Sequence, residues 1–169
     1  MPASEPSGKP PRAEPALRAI AMPADANPHG DIFGGWLLSQ MDLAGGTATT
    51  RRAKGRCVTV AITAMTFHRP VFVGDEVSCY ADIIKVGKTS ITVKVESWAR
   101  RGIGDEHIAV TEGIFTYVDV DENRRPRSVP PEDLTVCRLA ARERCTTRRE
   151  SRVQVLDPRF REGRTEQRR

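Results

Sequence analysis

Asp25-Ala26-Asn27-Pro28-His29-Gly30-Asp31-Ile32-Phe33-Gly34-Gly35-Trp36-Leu37-Leu38-Ser39-Gln40-Met41-Asp42 decides how the rest of this chain is read. The first half, rich in Asn, Pro, Gly and Asp, reads as a loop. The second half turns apolar, with Trp36, Leu37, Met41 and Ala44 at helical offsets. The pattern predicts a helix from Gly34 or Gly35 to about Arg52, closed by Lys54-Gly55, with basic residues at the negative end of its dipole. A glycine-rich helix N-terminus leaves N–H groups facing outward, ready for an oxygen that is gaining charge. Asp42, two turns further on, sits among Leu38, Met41 and Leu43, where desolvation would make it a better base. Amide donors and a carboxylate on one short segment suit acyl transfer. The residues alone also allow a plainer reading, in which Gly34-Gly35 only permits a sharp turn and Asp42 bonds nearby backbone or Ser39.

Gly45 and Gly46 lie inside the predicted helix, where each costs about 1 kcal/mol relative to Ala. Their presence implies close packing against another element, most simply a sheet wrapped around the helix. Strand patterns surround it. A short first strand is expected in residues 16–22, ended by Pro23. Residues 57–63 alternate and are rich in β-branched side chains. Cys79, Ala81 and Ile83 alternate with Ser78, Tyr80 and Asp82, and Gly87-Lys88 turns the chain into Ile91, Val93, Val95 and Ser97. After a loop at 100–105, Ile108, Val110, Glu112, Ile114, Thr116 and Val118 form the last alternating face, which Glu112 interrupts. One strand, one long helix and a run of antiparallel strands make an α+β fold. The domain is expected over residues 16–130, after a Pro- and Ser-rich leader at 1–15 and before a partly helical or disordered basic tail at 131–169.

The formal charge of +5 on 169 residues is unevenly placed. Residues 138–169 hold 11 arginines against 5 acids, which leaves 16 basic and 17 acidic residues in 1–137. The body is near neutral, so nucleic-acid binding by the domain is not expected, and the arginine tail is read first as a solvated end. Cys57, Cys79, Cys137 and Cys145 form no C-x-x-C pair, and His29, His68 and His107 are too scattered to suggest a metal site. No apolar run approaches the ~20 residues that span a bilayer. The first 15 residues lack the apolar core of a secretory signal, which makes a cytoplasmic protein the expectation.

The opening stretch, with Ala21-Met22-Pro23-Ala24-Asp25 leading into it, resembles the first motif of the YciA-like acyl-CoA thioesterases, which have the hot-dog fold. The likeness continues through Val58-Thr59-Val60, Met65-Thr66-Phe67-His68-Arg69-Pro70, Val73-Gly74-Asp75-Glu76-Val77, Val86-Gly87-Lys88-Thr89-Ser90 and Ala109-Val110-Thr111-Glu112. It covers residues 17–130 in order, and several blocks in register are far more specific than any one of them.

The resemblance implies an antiparallel sheet curved around one central helix. It implies hydrolysis of an acyl-CoA to free acid and CoA, with Asp42 as general base or nucleophile and the Gly35 amide polarising the carbonyl. Paired protomers would then flank one thioester, the helix N-terminus of one facing Asp42 of the other. Relatives of this kind form dimers and usually trimers of dimers. Asn27 could bond the attacking water or cap the helix, and Asp31 fits a cap better. His29 is a weaker candidate base. Gly87, Lys88, Thr89 and Ser90 form a turn with a cation, hydroxyls and amides suited to CoA phosphates, with Arg69, Lys85 and Arg127 as weaker candidates. Met65, Phe67 and Phe72 are expected near the acyl chain. No metal and no cofactor beyond the CoA of the substrate are implied. The rival readings are a non-catalytic acyl-CoA-binding module and nucleic-acid association through the arginine tail.

Overall fold

The computed structural model describes residues 10–11, 14–102 and 106–131. The elements run β1 (Leu17–Ile20), a 3-10 turn (Pro23–Asp25), α1 (Gly34–Ala53), β2 (Arg56–Phe67), β3 (Glu76–Val86), β4 (Ser90–Arg100) and β5 (His107–Val120). All belong to the unit Met1–Pro130. Of the second unit, Pro131–Arg169, only Pro131 is described, so the basic tail and its expected helix lie outside the described residues, as does most of the leader.

The strands form one antiparallel sheet in the order β1-β3-β4-β5-β2. Helix α1 lies on it. Leu37, Met41, Ala44 and Ala53 of the helix enter one core with Val77, Cys79, Ile91, Val93, Val95, Phe115 and Tyr117 of the sheet. Burying Leu37 and Met41 is worth about 1.5–3 kcal/mol each, which offsets the poor helix propensity of the internal glycines. This is the α+β arrangement of one long helix against a wrapped antiparallel sheet.

Several details differ from expectation, each for a local reason. The helix ends one residue later than predicted and is closed at Lys54-Gly55 as expected, with Lys54 (φ 50°) as the left-handed cap. Gly55 answers a different need, because a Cβ there would collide with the Arg127 guanidinium. Strand β2 is longer than residues 57–63 and lies at the sheet edge, with register shifts against β5 between Thr59 and Ala61 and between Ile62 and Ala64. These shifts break the alternation, and Val60 and Ile62 remain 55% and 41% exposed. On β3 the buried residues are consecutive, Val77, Ser78, Cys79 and Tyr80, while Ile83 is exposed beside a register shift between Ile83 and Lys85.

The largest correction concerns β5. Its pairing with β4 slips between Ser97 and Trp98, so that Ser97 faces Thr111 while Trp98 faces Ala109. Val110 is the extra residue, and its carbonyl accepts the amides of His68 and Arg69 at 2.8 and 3.3 Å. A one-residue slip exchanges the two faces of a strand. Ile108 and Val110 are buried before the slip; after it the buried set becomes Thr111, Gly113, Phe115, Tyr117 and Asp119, joined at the strand end by Val120. Ile114, Thr116 and Val118, expected in the core face, are half-buried instead. Glu112 therefore interrupts no apolar face: it pairs with Lys94 at 3.1 Å, beside the Lys94–Glu96 pair at 2.6 Å.

Candidate active site

The loop before α1 is closed by its own polar groups. Asn27 Oδ1 accepts the amides of His29 and Asp31 at 2.8 and 3.2 Å, and the Phe33 amide donates to the Asp25 carbonyl at 3.0 Å. Asn27 thus braces the loop through its carbonyl oxygen. Asp31 does not cap the helix, because the N-cap is Phe33, two residues further on, and no side chain bonds the free amides there. The N–H groups of Gly34 and Gly35 can have no acceptor within the helix. Among the described residues nothing beyond its chain neighbours lies within 4 Å of the space that a Cβ would occupy at Gly35.

Asp42 is half-buried on α1, less enclosed than expected, since Leu43 beside it is itself exposed. Its Oδ1 accepts the Thr59 hydroxyl at 2.6 Å and the Tyr117 hydroxyl at 3.2 Å. Tyr117 also lies 3.1 Å from the Asp42 backbone carbonyl. Thr59 and Tyr117 are directly opposed across β2 and β5, so one cross-strand pair presents both hydroxyls to the helix. Burial first, and then the charge of Asp42, push the Tyr117 phenol well above its ordinary value, so it stays protonated and able to donate. Ser39 donates instead to the Trp36 carbonyl at 2.7 Å, which removes it as the partner of Asp42. A cavity of about 460 Å³ opens here, lined by Asp42, Gly46, Thr50, Arg51, Cys57, Thr59 and Tyr117. Burial raises the Cys57 thiol above its usual range.

Thr59 and Tyr117 were not singled out as site residues from the sequence. The available signal was Gly45: a Cβ there would overlap the Tyr117 hydroxyl and crowd its ring carbon Cζ at 2.9 Å. A glycine that breaks helix propensity at a buried position marks where a large side chain from the sheet comes close.

The other expected residues fall into separate places. Gly34, Phe67 and Arg69 line a second cavity of about 310 Å³ with Leu37, His68 and Pro70, at the helix N-terminus and apart from Asp42. Phe72 lies under the Arg101 guanidinium at 4.4 Å, and Met65 packs half-buried with its sulfur near Gly113. Neither Met65, Phe67 nor Phe72 lines the Asp42 cavity. Gly87, Lys88, Thr89 and Ser90 form the β3–β4 turn, closed by the Gly87 amide on the Ser90 carbonyl at 2.7 Å. The Thr89 carbonyl accepts the Asp119 amide at 2.9 Å, which joins this turn to β5, whose Asp119 binds Arg127. Arg127 forks onto the fully buried Asp119 with two bonds of 3.0 Å, so much of its guanidinium serves that carboxylate rather than standing free for a ligand. Lys85 is exposed on β3, and His29 is exposed in the loop. Among the described residues no cluster of His, Cys, Asp and Glu could hold a metal ion.

Comparison with known proteins gives the same class. Residues 29–104 match the thioesterase superfamily. An uncharacterized acyl-CoA thioester hydrolase of Zymomonas mobilis is 50% identical over 125 residues, 74% of this chain and 84% of that protein. The acyl-CoA thioester hydrolase YciA of Escherichia coli is 48% identical over 126 residues, 72% of this chain and 95% of that protein. The crystal structure of a hexameric thioesterase from Yersinia pestis superposes with a TM-score of 0.68 at 50% identity, covering 72% of this chain and 98% of that one. The chain belongs to the thioesterase superfamily, as a YciA-like member with the hot-dog fold.

Proposed function

We propose that this protein hydrolyses acyl-CoA thioesters to a free carboxylic acid and CoA. The observation that carries the reading is Asp42, a half-buried carboxylate facing a cavity with one oxygen held by Thr59 and Tyr117. The YciA proteins, named for this reaction, share about half of the aligned sequence. In the proposed scheme Asp42 either removes a proton from the attacking water or attacks the carbonyl itself. An amide at the start of α1, Gly35 foremost, binds the oxygen as it gains charge. Collapse of the tetrahedral state expels the CoA thiolate, which takes up a proton; where Asp42 is the attacking group, water then cleaves the resulting mixed anhydride to release the acid and restore the carboxylate. An oxyanion donor is worth about 2.7–4 kcal/mol of barrier, and a general base about 10²–10⁴-fold in rate.

Helix geometry supports a site shared between copies. Gly35 and Asp42 are seven residues apart, and a rise of 1.5 Å per residue separates them by about 10 Å along the axis. Amide and carboxylate of one chain are too distant to serve the same carbonyl. A second copy that brings its own helix N-terminus to the Asp42 cavity resolves this, and a hexamer is the assembly proposed. The hexameric thioesterases of Yersinia pestis and Campylobacter jejuni, 50% and 43% identical to this chain, support it. The turn of Gly87, Lys88, Thr89 and Ser90 is proposed to meet CoA phosphates, with Arg127 limited to its outer nitrogen. Met65, Phe67 and Phe72 would reach an acyl chain only in a site completed by another copy. The scheme calls for no metal or added cofactor. A cytoplasmic location is proposed, in keeping with the free thiols of Cys57 and Cys79.

Asp42→Ala tests the reading through thiol release on short, medium, long and aromatic acyl-CoAs. A fall in kcat of about 100-fold or more is expected, with the melting temperature retained. Full activity in that variant would remove Asp42 from the mechanism.

A further inference from the structure

Two hydroxyls meet one oxygen of Asp42. Thr59 Oγ1 is 2.6 Å from Oδ1 and the Tyr117 hydroxyl 3.2 Å from it, while Oδ2 accepts no hydrogen bond among the described residues. The phenol carries a single proton and has a second possible acceptor, the Asp42 backbone carbonyl at 3.1 Å. That carbonyl lies within α1 and already receives the helical amide four residues on. An ionised carboxylate draws a donor more strongly than a carbonyl that is already bonded. The geometry points to Tyr117 as a positioning residue for the hydrolysis proposed above: with Thr59 it pins Oδ1 and leaves Oδ2 as the oxygen that reacts.

The fold is arranged to hold this contact. Tyr117 is buried to 1% exposure, its ring stacks near Phe115 with centroids 6.4 Å apart, and Gly45 provides the gap that its hydroxyl enters. The β2 register shift begins immediately after Thr59, and the β5 slip at Val110 turns Tyr117 inward. Because Thr59 and Tyr117 are directly opposed in the ladder, both side chains lie on the same face of the sheet. The role also fixes which oxygen moves. A carboxylate that is free to rotate offers either oxygen to water, whereas one pinned at Oδ1 presents Oδ2 in a single orientation, and orientation of this kind acts on kcat more than on substrate binding.

The inference rests on Asp42 being the reacting carboxylate, and the experiment separates the two claims. Tyr117→Phe, Asp42→Ala and the double variant are compared in full-length protein for kcat, KM and melting temperature. Tyr117→Phe is expected to lower kcat about 10-fold with KM within about twofold, and to have no further effect in the Asp42→Ala background. Gly45→Ala, which keeps the hydroxyl but displaces it, should reproduce the loss in kcat if Tyr117→Phe fails to fold. An inactive Asp42→Ala beside a Tyr117→Phe enzyme of unchanged kcat overturns the inference alone. So does an equal loss from Tyr117→Phe in both backgrounds. A fully active Asp42→Ala overturns the proposed function itself.

Discussion

Gly45 and Gly46 are neighbours in α1, yet their surroundings call for opposite responses to alanine. A Cβ on Gly46 would lie 4.0 Å from Tyr117 Cε1, an ordinary contact, so Gly46→Ala gains helix propensity with little conflict. An increase in stability of up to ~1 kcal/mol is expected from urea unfolding. A Cβ on Gly45 would strike the Tyr117 hydroxyl and press on its buried ring, which would have to shift from its place over the helix. Overpacking of this kind costs about 1–3 kcal/mol, more than propensity returns, so Gly45→Ala should be the less stable protein. If both variants proved equally stabilised, the close approach of Tyr117 to the helix would be wrong. Of the site, the residues legible in the sequence were those on the helix and its leading loop. Asp42 and Gly35 could be placed on one helix because a helix keeps one period from end to end, while a role for them came from the family resemblance and not from the residues alone. Thr59 and Tyr117 were hidden because their direction depends on pairing irregularities that no local pattern reports.

The same contrast separates the strands. Strand β4 shows Ile91, Val93, Val95 and Ser97 buried in strict alternation, as its sequence implies, because the one shift along this stretch, against β3, puts its extra residue Ile84 on β3 and leaves the phase of β4 intact. Strands β2 and β5 have comparable patterns, but bulges reset the phase partway along, so that apolar residues such as Val60 and Val118 do not reach the core. Hydrophobic period thus located the elements and their order of appearance, and left the inward face of the bulged strands open. Between β3 and β4, Cys79 faces Ser97 with Sγ and Oγ 3.2 Å apart. Burial pushes the Cys79 thiol up to about 11 from an ordinary 9.0. In that window the unfolded chain loses the thiol proton and the folded chain keeps it. The associated stability is fully present below pH 9 and is lost as the pH rises towards 11. Urea midpoints measured from pH 8 to 11 should fall more steeply for the natural protein than for Cys79→Ala. Parallel curves would show that Cys79 is not held protonated by the fold.

At the scale of the whole molecule, the apolar side chains left uncovered matter most around the β2 edge. Val60 and Ile62 stand exposed on an edge strand of 12 residues, and Leu43 is exposed on the helix beside Asp42. A long edge with apolar side chains invites another strand or another copy unless charge or a proline blocks it. Residues 57–65 carry neither, reading Cys57-Val58-Thr59-Val60-Ala61-Ile62-Thr63-Ala64-Met65. A copy of this chain seated at that edge would cover Val60 and Ile62 close to Thr59, and so close to Asp42. Lysines introduced as Val60→Lys with Ile62→Lys should oppose such an association, through charge repulsion and the loss of buried apolar area. Size-exclusion chromatography with light scattering is expected to show a multimer for the natural protein and a smaller species for the double variant. Because Gly35 and Asp42 of one chain are separated by about 10 Å, that smaller species should also lose at least about 100-fold in kcat/KM while keeping its circular dichroism spectrum. A monomer that hydrolyses acyl-CoA at the natural rate would mean that one chain holds a complete site, and the pairing of amide and carboxylate across copies would have to be abandoned.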